Sequence, residues 1–395
     1  MKKLYGMVMI LLAISAGSNA QSRASKYFTI KGTMENVADG AVIQLMRVDA
    51  NAMAVTVTDT LKGGHFELRD TVSSVKKYYI HVSSEGYPIN EILPVWVAPG
   101  KTIDVHAKDK LVPTWKVTSD IAEQMYQNGF QLSAYKDCQK HSLLNIQESP
   151  WIQKLYFDKK AVGKAEREAY RDSIRAIQKK EGVIDHRIDS LKLVYMKTAP
   201  LSKVWMLELS DFAKLYHVPS YNSFQPAIKA LYQRMLPKQK QSPLGRRIAS
   251  YIYSTVVKVG DHFVDGTLYD IHGNKHHLAE FSGQYILLDF WSRSCGPCVE
   301  SLPEVAAVTE KYKNKLSVVS ISQDTKEAWI SYIQLKKMKG NQWNQLSSNH
   351  ADLSTIYQIA GIPCYILISP EGKILEKVEG YGKGTVEALV GKYIK

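Results

Sequence analysis

Residues 285–303 read YILLDFWSRSCGPCVESLP: an apolar run, three polar residues, two cysteines with two residues between them, and a helix-like continuation. The run Tyr285–Trp291 is short and shows no polar alternation, so it is expected to be a strand buried on both faces. A helix is expected to begin at about Cys298. Cys295 then stands at the carboxyl end of the strand and near the helix N-terminus, where unpaired N–H groups and the helix dipole favour a thiolate over a thiol. A cysteine pKa near about 8.5 falls in such motifs to roughly 7 or below, which makes Cys295 the candidate nucleophile. Cys298 lies close enough to close a small disulfide ring and is the candidate resolving thiol. Gly296 and Pro297 supply the turn between them, with the proline stiffening it. Asp289 is the lone carboxylate in the apolar run, and burying it is costly unless it has a partner or a task. As a task, it would serve as general base for Cys298, with burial raising its pKa. The alternative is an aspartate turned to the polar edge of the strand.

Downstream of about Val256 the pattern alternates between strands and helices. DGTLYDIHGNKHHL reads as a hairpin around Gly273 and Asn274, LSVVSIS as a second buried strand, and DTKEAWISYIQLKKM as a helix. CYILI and KILEKV read as strands paired across the turn 369–372, and TVEALVGKYI as a closing helix. This is an α/β layer architecture over residues 256–395.

Upstream the character changes twice. From Tyr27 to about Asp120, short β-type runs broken by turn residues predict an all-β, sandwich-like domain over 27–120. Residues 121–245 read as a helical region with a linker at Pro237, Pro243 and Gly245. There Ile174, Ile177, Ile184, Ile188 and Leu191 place an apolar stripe on one long helix, facing the core or, alternatively, a dimer seam. The oligomeric state is left open.

The chain opens MKKLYGMVMILLAISAGSNAQ, a basic start, an apolar core shorter than the ~20 residues that span a bilayer, and small residues before Gln21. Residues 1–20 are expected to be a secretory signal peptide, giving an exported, periplasmic protein without a membrane anchor. Disulfides persist in such a compartment, so the four cysteines are read first as redox-active or structural sulfurs. The net charge of +13 is spread through the chain with no basic block, which reads as a solvated basic surface and argues against nucleic acid as a partner.

D-F-W-x-x-x-C-G-P-C, with Pro303 five residues after the second cysteine and Gly361-Ile362-Pro363 ahead of a strand, resembles the thioredoxin fold. The exported context, the lead-in GNKHHLAEFSGQYILLDFW and the ISPEGKI turn narrow the resemblance to the TlpA/ResA-type thiol-disulfide oxidoreductases, over residues 256–395. It implies that Pro363 is cis and packed against the disulfide, in a groove for an extended substrate chain that also involves Trp291, Ser294, Gly296, Pro297 and Ile362. It further implies disulfide exchange with partner proteins in the reducing direction, electrons from a membrane thiol donor, a role such as cytochrome c maturation, and no cofactor besides the Cys295–Cys298 pair. Two positions depart from the pattern. Ser294 replaces a common aromatic residue before the first cysteine, and Ser301 stands where a glutamate is frequent. Glu300 is adjacent but points about 100° away on a helix, which leaves Asp289 as proton acceptor.

Other readings of the cysteines stay open. A structural zinc site needs four ligands, and His272, His276 and His277 lie on a predicted hairpin, so no metal is assigned. A peroxiredoxin-like peroxidase and a binding or scaffold protein with a structural disulfide are the functional alternatives. Cys138 reads as a lone structural thiol. Cys364 follows Pro363, and because successive strand residues point to opposite faces it reads as a buried small hydrophobe, with a regulatory third thiol as the alternative.

Overall fold

A computed structural model describes residues 26–49, 52–84, 91–157, 163–346 and 353–395. The expected leader, residues 1–20, lies outside them. No helix among the described residues is long and apolar enough to cross a membrane.

The first eight strands are β1 (Tyr27–Met34), β2 (Val42–Asp49), β3 (Ala52–Thr60), β4 (His65–Thr71), β5 (Lys76–Ser83), β6 (Leu93–Val97), β7 (Thr102–Ala107) and β8 (Lys116–Thr118). They form two four-stranded sheets, β4-β1-β7-β8 and β3-β2-β5-β6. In β1 every second residue is buried (Phe28, Ile30, Gly32, Met34), the alternation of a strand with one face on a core. Phe28 meets Tyr78 of the other sheet edge-on, ring centroids 5.3 Å apart. This is consistent with the expected sandwich. β8 is not legible in the sequence, because three residues carry no periodicity.

The helices that follow are α1 (Ala122–Ser133), α2 (Tyr135–Ile152), α3 (Lys164–Met196), α4 (Lys203–Lys214), α5 (Gln225–Arg234), α6 (Pro237–Gln241) and α7 (Pro243–Tyr253). They share one hydrophobic core with the sheets, running from Phe28 and Tyr78 through Phe130, Met196 and Trp205 to Ile252. Gln124 and Gln127 of α1 accept hydrogen bonds from the backbone N–H (2.7 Å) and indole N–H (3.4 Å) of Trp96 on β6. The β and helical regions therefore pack as one unit.

In this region one expectation fails and another holds in part. Pro237 and Pro243 do not mark a linker. Each opens a helix, where a missing N–H costs nothing and the fixed φ is helical. Gly245 packs α7 against α6, and a Cβ there would lie 2.0 Å from the Gln239 carbonyl oxygen. In α3, Ile174, Ile177 and Ile188 are buried, but Leu191 is exposed and the buried stripe continues through Leu193 and Met196.

The C-terminal part contains β9 (Leu268–Tyr269), β10 (Lys275–His276), β11 (Tyr285–Trp291), α8 (Gly296–Lys311), β12 (Leu316–Ser322), α9 (Lys326–Lys336), β13 (Asn341–Asn344), α10 (Leu353–Ile356), β14 (Cys364–Ile368), β15 (Ile374–Glu379) and α11 (Thr385–Gly391). One seven-stranded sheet has the order β10-β9-β13-β12-β11-β14-β15. β11 is parallel to β12 and antiparallel to β14. On one sheet face Leu288, Phe290, Cys364 and Ile366 pack with Tyr357 and Trp343. On the other, Leu287, Tyr365 and Leu367 pack beneath Val305 and Val308 of α8 and Val386, Leu389 and Val390 of α11. β11 is thus covered on both faces, which explains why its sequence shows no polar alternation.

Candidate active site

Cys295 and Cys298 form a disulfide, with Cα atoms 5.2 Å apart. Helix α8 starts two residues earlier than expected, at Gly296, so Cys295 is the residue that caps it. Its sulfur accepts the Cys298 N–H at 3.2 Å and its carbonyl accepts the Val299 N–H at 3.0 Å. Pro297 occupies the first turn, where its missing donor is harmless. Cys295 is half-buried, while Cys298 is fully buried against Trp291, Trp329 and Ile333. An accessible sulfur at the helix start, followed by a buried one, is the division of labour that disulfide exchange requires.

The Ile362–Pro363 peptide is cis, and the Ile362 carbonyl oxygen lies 3.5 Å from Cys295 Sγ. Pro363 is buried, Ile362 is half-exposed, and Ser294, Gly296 and Pro297 are exposed beside the disulfide. Trp291 is different. It is 0% exposed and packs on Cys298 and Trp329, so it does not line an open groove and instead supports the disulfide from within. Two residues from Asp289 along the strand, it faces the interior of the domain rather than the surface.

Asp289 is 1% exposed. It lies in register with Ser320 of β12 and Tyr365 of β14, on the sheet face that α8 covers. Burial pushes its carboxyl up from an ordinary 3.8 to about 7, although the Ser320 hydroxyl, donating to Oδ2 at 3.0 Å, works the other way. Oδ1 has no hydrogen-bond partner among the described residues. The aspartate is therefore not on a polar edge. Ser301 is also buried and donates to the Cys298 carbonyl at 2.8 Å, while Glu300 is exposed.

Cys364 faces the opposite side of the sheet, packed with Phe290 and Tyr357, and burial pushes its thiol up to about 12. Cys138 is a half-buried free thiol of α2, raised by burial as well. His276 stacks on Trp343 and pairs with Glu280 and Asp270. Among the described residues no group of His, Cys, Asp and Glu is arranged to hold a metal ion.

Asp324 joins the site without having stood out in the sequence. It is 5% exposed and follows β12, which runs parallel to β11 with Trp291 beside Ser322. Parallel strands that end at one level release their loops side by side, so Asp324 meets the residues leading to Cys295. Its Oδ1 accepts the Ser292 hydroxyl at 2.7 Å and its Oδ2 the Arg293 N–H at 2.8 Å. An acid two residues past the end of a buried strand is the signal that could have found it.

Residues 259–377 match the AhpC/TSA family model. The thiol-disulfide oxidoreductase ResA of Bacillus thuringiensis subsp. konkukian is 23% identical over 150 residues, covering 38% of this chain and 78% of that protein. ResA of Bacillus anthracis is 27% identical over 165 residues, covering 42% and 84%. Among solved structures, the thioredoxin domain of a thiol-disulfide oxidoreductase from Bacteroides vulgatus is 28% identical, covering 35% of this chain and 99% of that one, with a TM-score of 0.33. The C-terminal part of this chain is therefore a thioredoxin-like domain of the AhpC/TSA family, homologous to the ResA thiol-disulfide oxidoreductases.

Proposed function

We propose that this protein is an exported thiol-disulfide oxidoreductase that exchanges disulfides with partner proteins through Cys295 and Cys298. The observation that carries the proposal is the pair itself: a half-buried Cys295 capping α8, joined to a Cys298 buried in the first turn of that helix against Trp291 and Trp329.

In the reduced protein, the Cys295 thiolate attacks one sulfur of a partner disulfide, forming a mixed disulfide and releasing the partner's other sulfur as a thiolate. Asp289 takes the proton of the Cys298 thiol. The Cys298 thiolate then attacks Cys295 Sγ, closing the Cys295–Cys298 bond and releasing the second partner sulfur. Two electrons pass to the partner; one of its thiolates takes up the proton that Asp289 received and the other a proton from solvent, equal to the one Cys295 lost on ionising. A carboxyl poised near 7 is matched to this transfer at neutral pH. No cofactor takes part. The oxidised form, with the Cys295–Cys298 bond closed, returns to work when a thiol donor supplies two electrons. The ResA resemblance supports the reducing direction, with a membrane thiol donor in the periplasm and partner disulfides such as those met in cytochrome c maturation.

Ser294, Gly296, Pro297 and Ile362 supply the exposed surface around Cys295 on which an extended partner segment is expected to lie. Cys298→Ser removes the resolving sulfur, so partner proteins should accumulate in mixed disulfides with Cys295 that dissolve in dithiothreitol. If the variant, expressed with its leader, captures no partner while Cys295 remains alkylatable, the oxidoreductase proposal fails.

A further inference from the structure

Asp324 makes no contact with either cysteine, yet its carboxylate is spent on the segment between β11 and Cys295. The Ser292 hydroxyl, the Arg293 N–H and the Ser322 hydroxyl (3.1 Å) all donate to it. The Ser322 oxygen in turn accepts the Asp324 N–H at 3.1 Å, and Asn344 donates to the Asp324 carbonyl at 2.9 Å, so the acid is itself held from behind.

The contacts continue toward the disulfide. The single hydroxyl proton of Ser292 goes to Asp324, so in the 2.9 Å contact between the Ser292 and Ser294 hydroxyls it is Ser294 that donates. Ser292 Oγ also lies 3.3 Å from the Ser294 N–H, and the Ser292 carbonyl accepts the Cys295 N–H at 3.1 Å. Ser292 is thereby the hub of the loop, and Asp324 is what fixes Ser292.

We propose that Asp324 is a positioning residue for the redox pair: acting through Ser292, it holds the loop 292–294 in the geometry that closes the Cys295–Cys298 disulfide. The proposal rests on the oxidoreductase function proposed above. A fixed loop lowers the entropy cost of closing the disulfide ring. That favours the disulfide over the dithiol, which makes the pair more reducing.

The test is the equilibrium of the purified full chain with reduced and oxidised dithiothreitol, read for the parent and for Asp324→Asn. Asn keeps the volume but has one acceptor oxygen where the carboxylate has two, so the Ser292 hydroxyl and the Arg293 N–H cannot both donate to it as they do to Asp324. At least a threefold shift toward the reduced protein is expected, with the far-ultraviolet circular dichroism unchanged. If Asp324→Asn does not fold, Ser292→Ala and Ser292→Thr carry the test: Ala should shift the equilibrium in the same direction and Thr, which keeps the hydroxyl, should restore it. A parent that cycles while the folded variants match it overturns the role of Asp324 alone. A parent that forms no reversible disulfide overturns the oxidoreductase function and this role with it.

Discussion

Asp289 and Ser320 lie side by side on parallel strands, and the serine hydroxyl donates to Asp289 Oδ2 at 3.0 Å while Oδ1 stays buried with no hydrogen-bond partner among the described residues. One neutral donor does not offset complete burial, and the carboxyl is pushed up to about 7. Asp289→Asn should slow disulfide exchange most at pH 7–8, where the carboxylate is available as a base, and flatten the pH–rate profile there. Stopped-flow reduction of a model disulfide across pH 5–9 measures this, and an unchanged profile would return Asp289 to a structural role.

The same raised pKa has a consequence for stability. The folded chain holds its Asp289 proton more tightly than the unfolded chain does, so this contribution is intact below the ordinary carboxylate value and is lost as pH rises toward about 7. Asp289→Asn should therefore stabilise the protein at pH 8, by an amount on the order of a few kcal/mol, and much less at pH 4. Urea denaturation of the oxidised protein at both pH values checks the sign.

Glu304 of α8 works in the opposite direction. Burial would raise its carboxyl, but N–H groups of Glu387, Gly384 and Val386 and the Tyr381 hydroxyl donate to it and hold it below the usual carboxylate range. It fastens the start of α11 to α8. Glu304→Ala should destabilise the domain by about 1–2 kcal/mol at pH 7, and the difference should shrink as pH falls through the carboxylate range, since a lowered pKa gives stability that acid removes. Thermal unfolding at pH 7 and pH 3.5 compares the two.

Much of the C-terminal domain is legible because its signals are local. The apolar run Tyr285–Trp291, the C-G-P-C turn and Pro363 each announce their structure within a few residues, and strand alternation alone assigns Cys364 to the far sheet face. What is not legible depends on pairing between distant segments. β13 reads Asn-Gln-Trp-Asn, too polar and short to look like a strand, and it exists because β12 and β9 flank it. Asp324 meets Ser292 only because two parallel strands end together. The resemblance assigns Trp291 to the groove, whereas the alternation that places Asp289 inside places Trp291 inside as well. In the helical region, Pro237 and Pro243 read as breakers, yet their position at helix starts makes them initiators.

Cys364 is 0% exposed with its thiol pushed up to about 12, and it lies across the sheet from Asp289. In the reduced native protein, iodoacetamide should modify Cys295 first and leave Cys364 unmodified until unfolding, and Cys364→Val should leave exchange rates unchanged. Mass spectrometry of a timed alkylation reads this directly. Modification of Cys364 at a rate near that of Cys295 would mean a third working thiol.

A redox titration of the purified protein in dithiothreitol or glutathione buffers decides whether Cys295 and Cys298 form a reversible redox couple. Trp291 and Trp329 pack on Cys298, so tryptophan fluorescence reports the transition. The expected result is a single two-electron transition that is fully reversible and is abolished by Cys295→Ser. A fluorescence signal that does not change across the buffer series, with the two thiols failing to reoxidise, would contradict it.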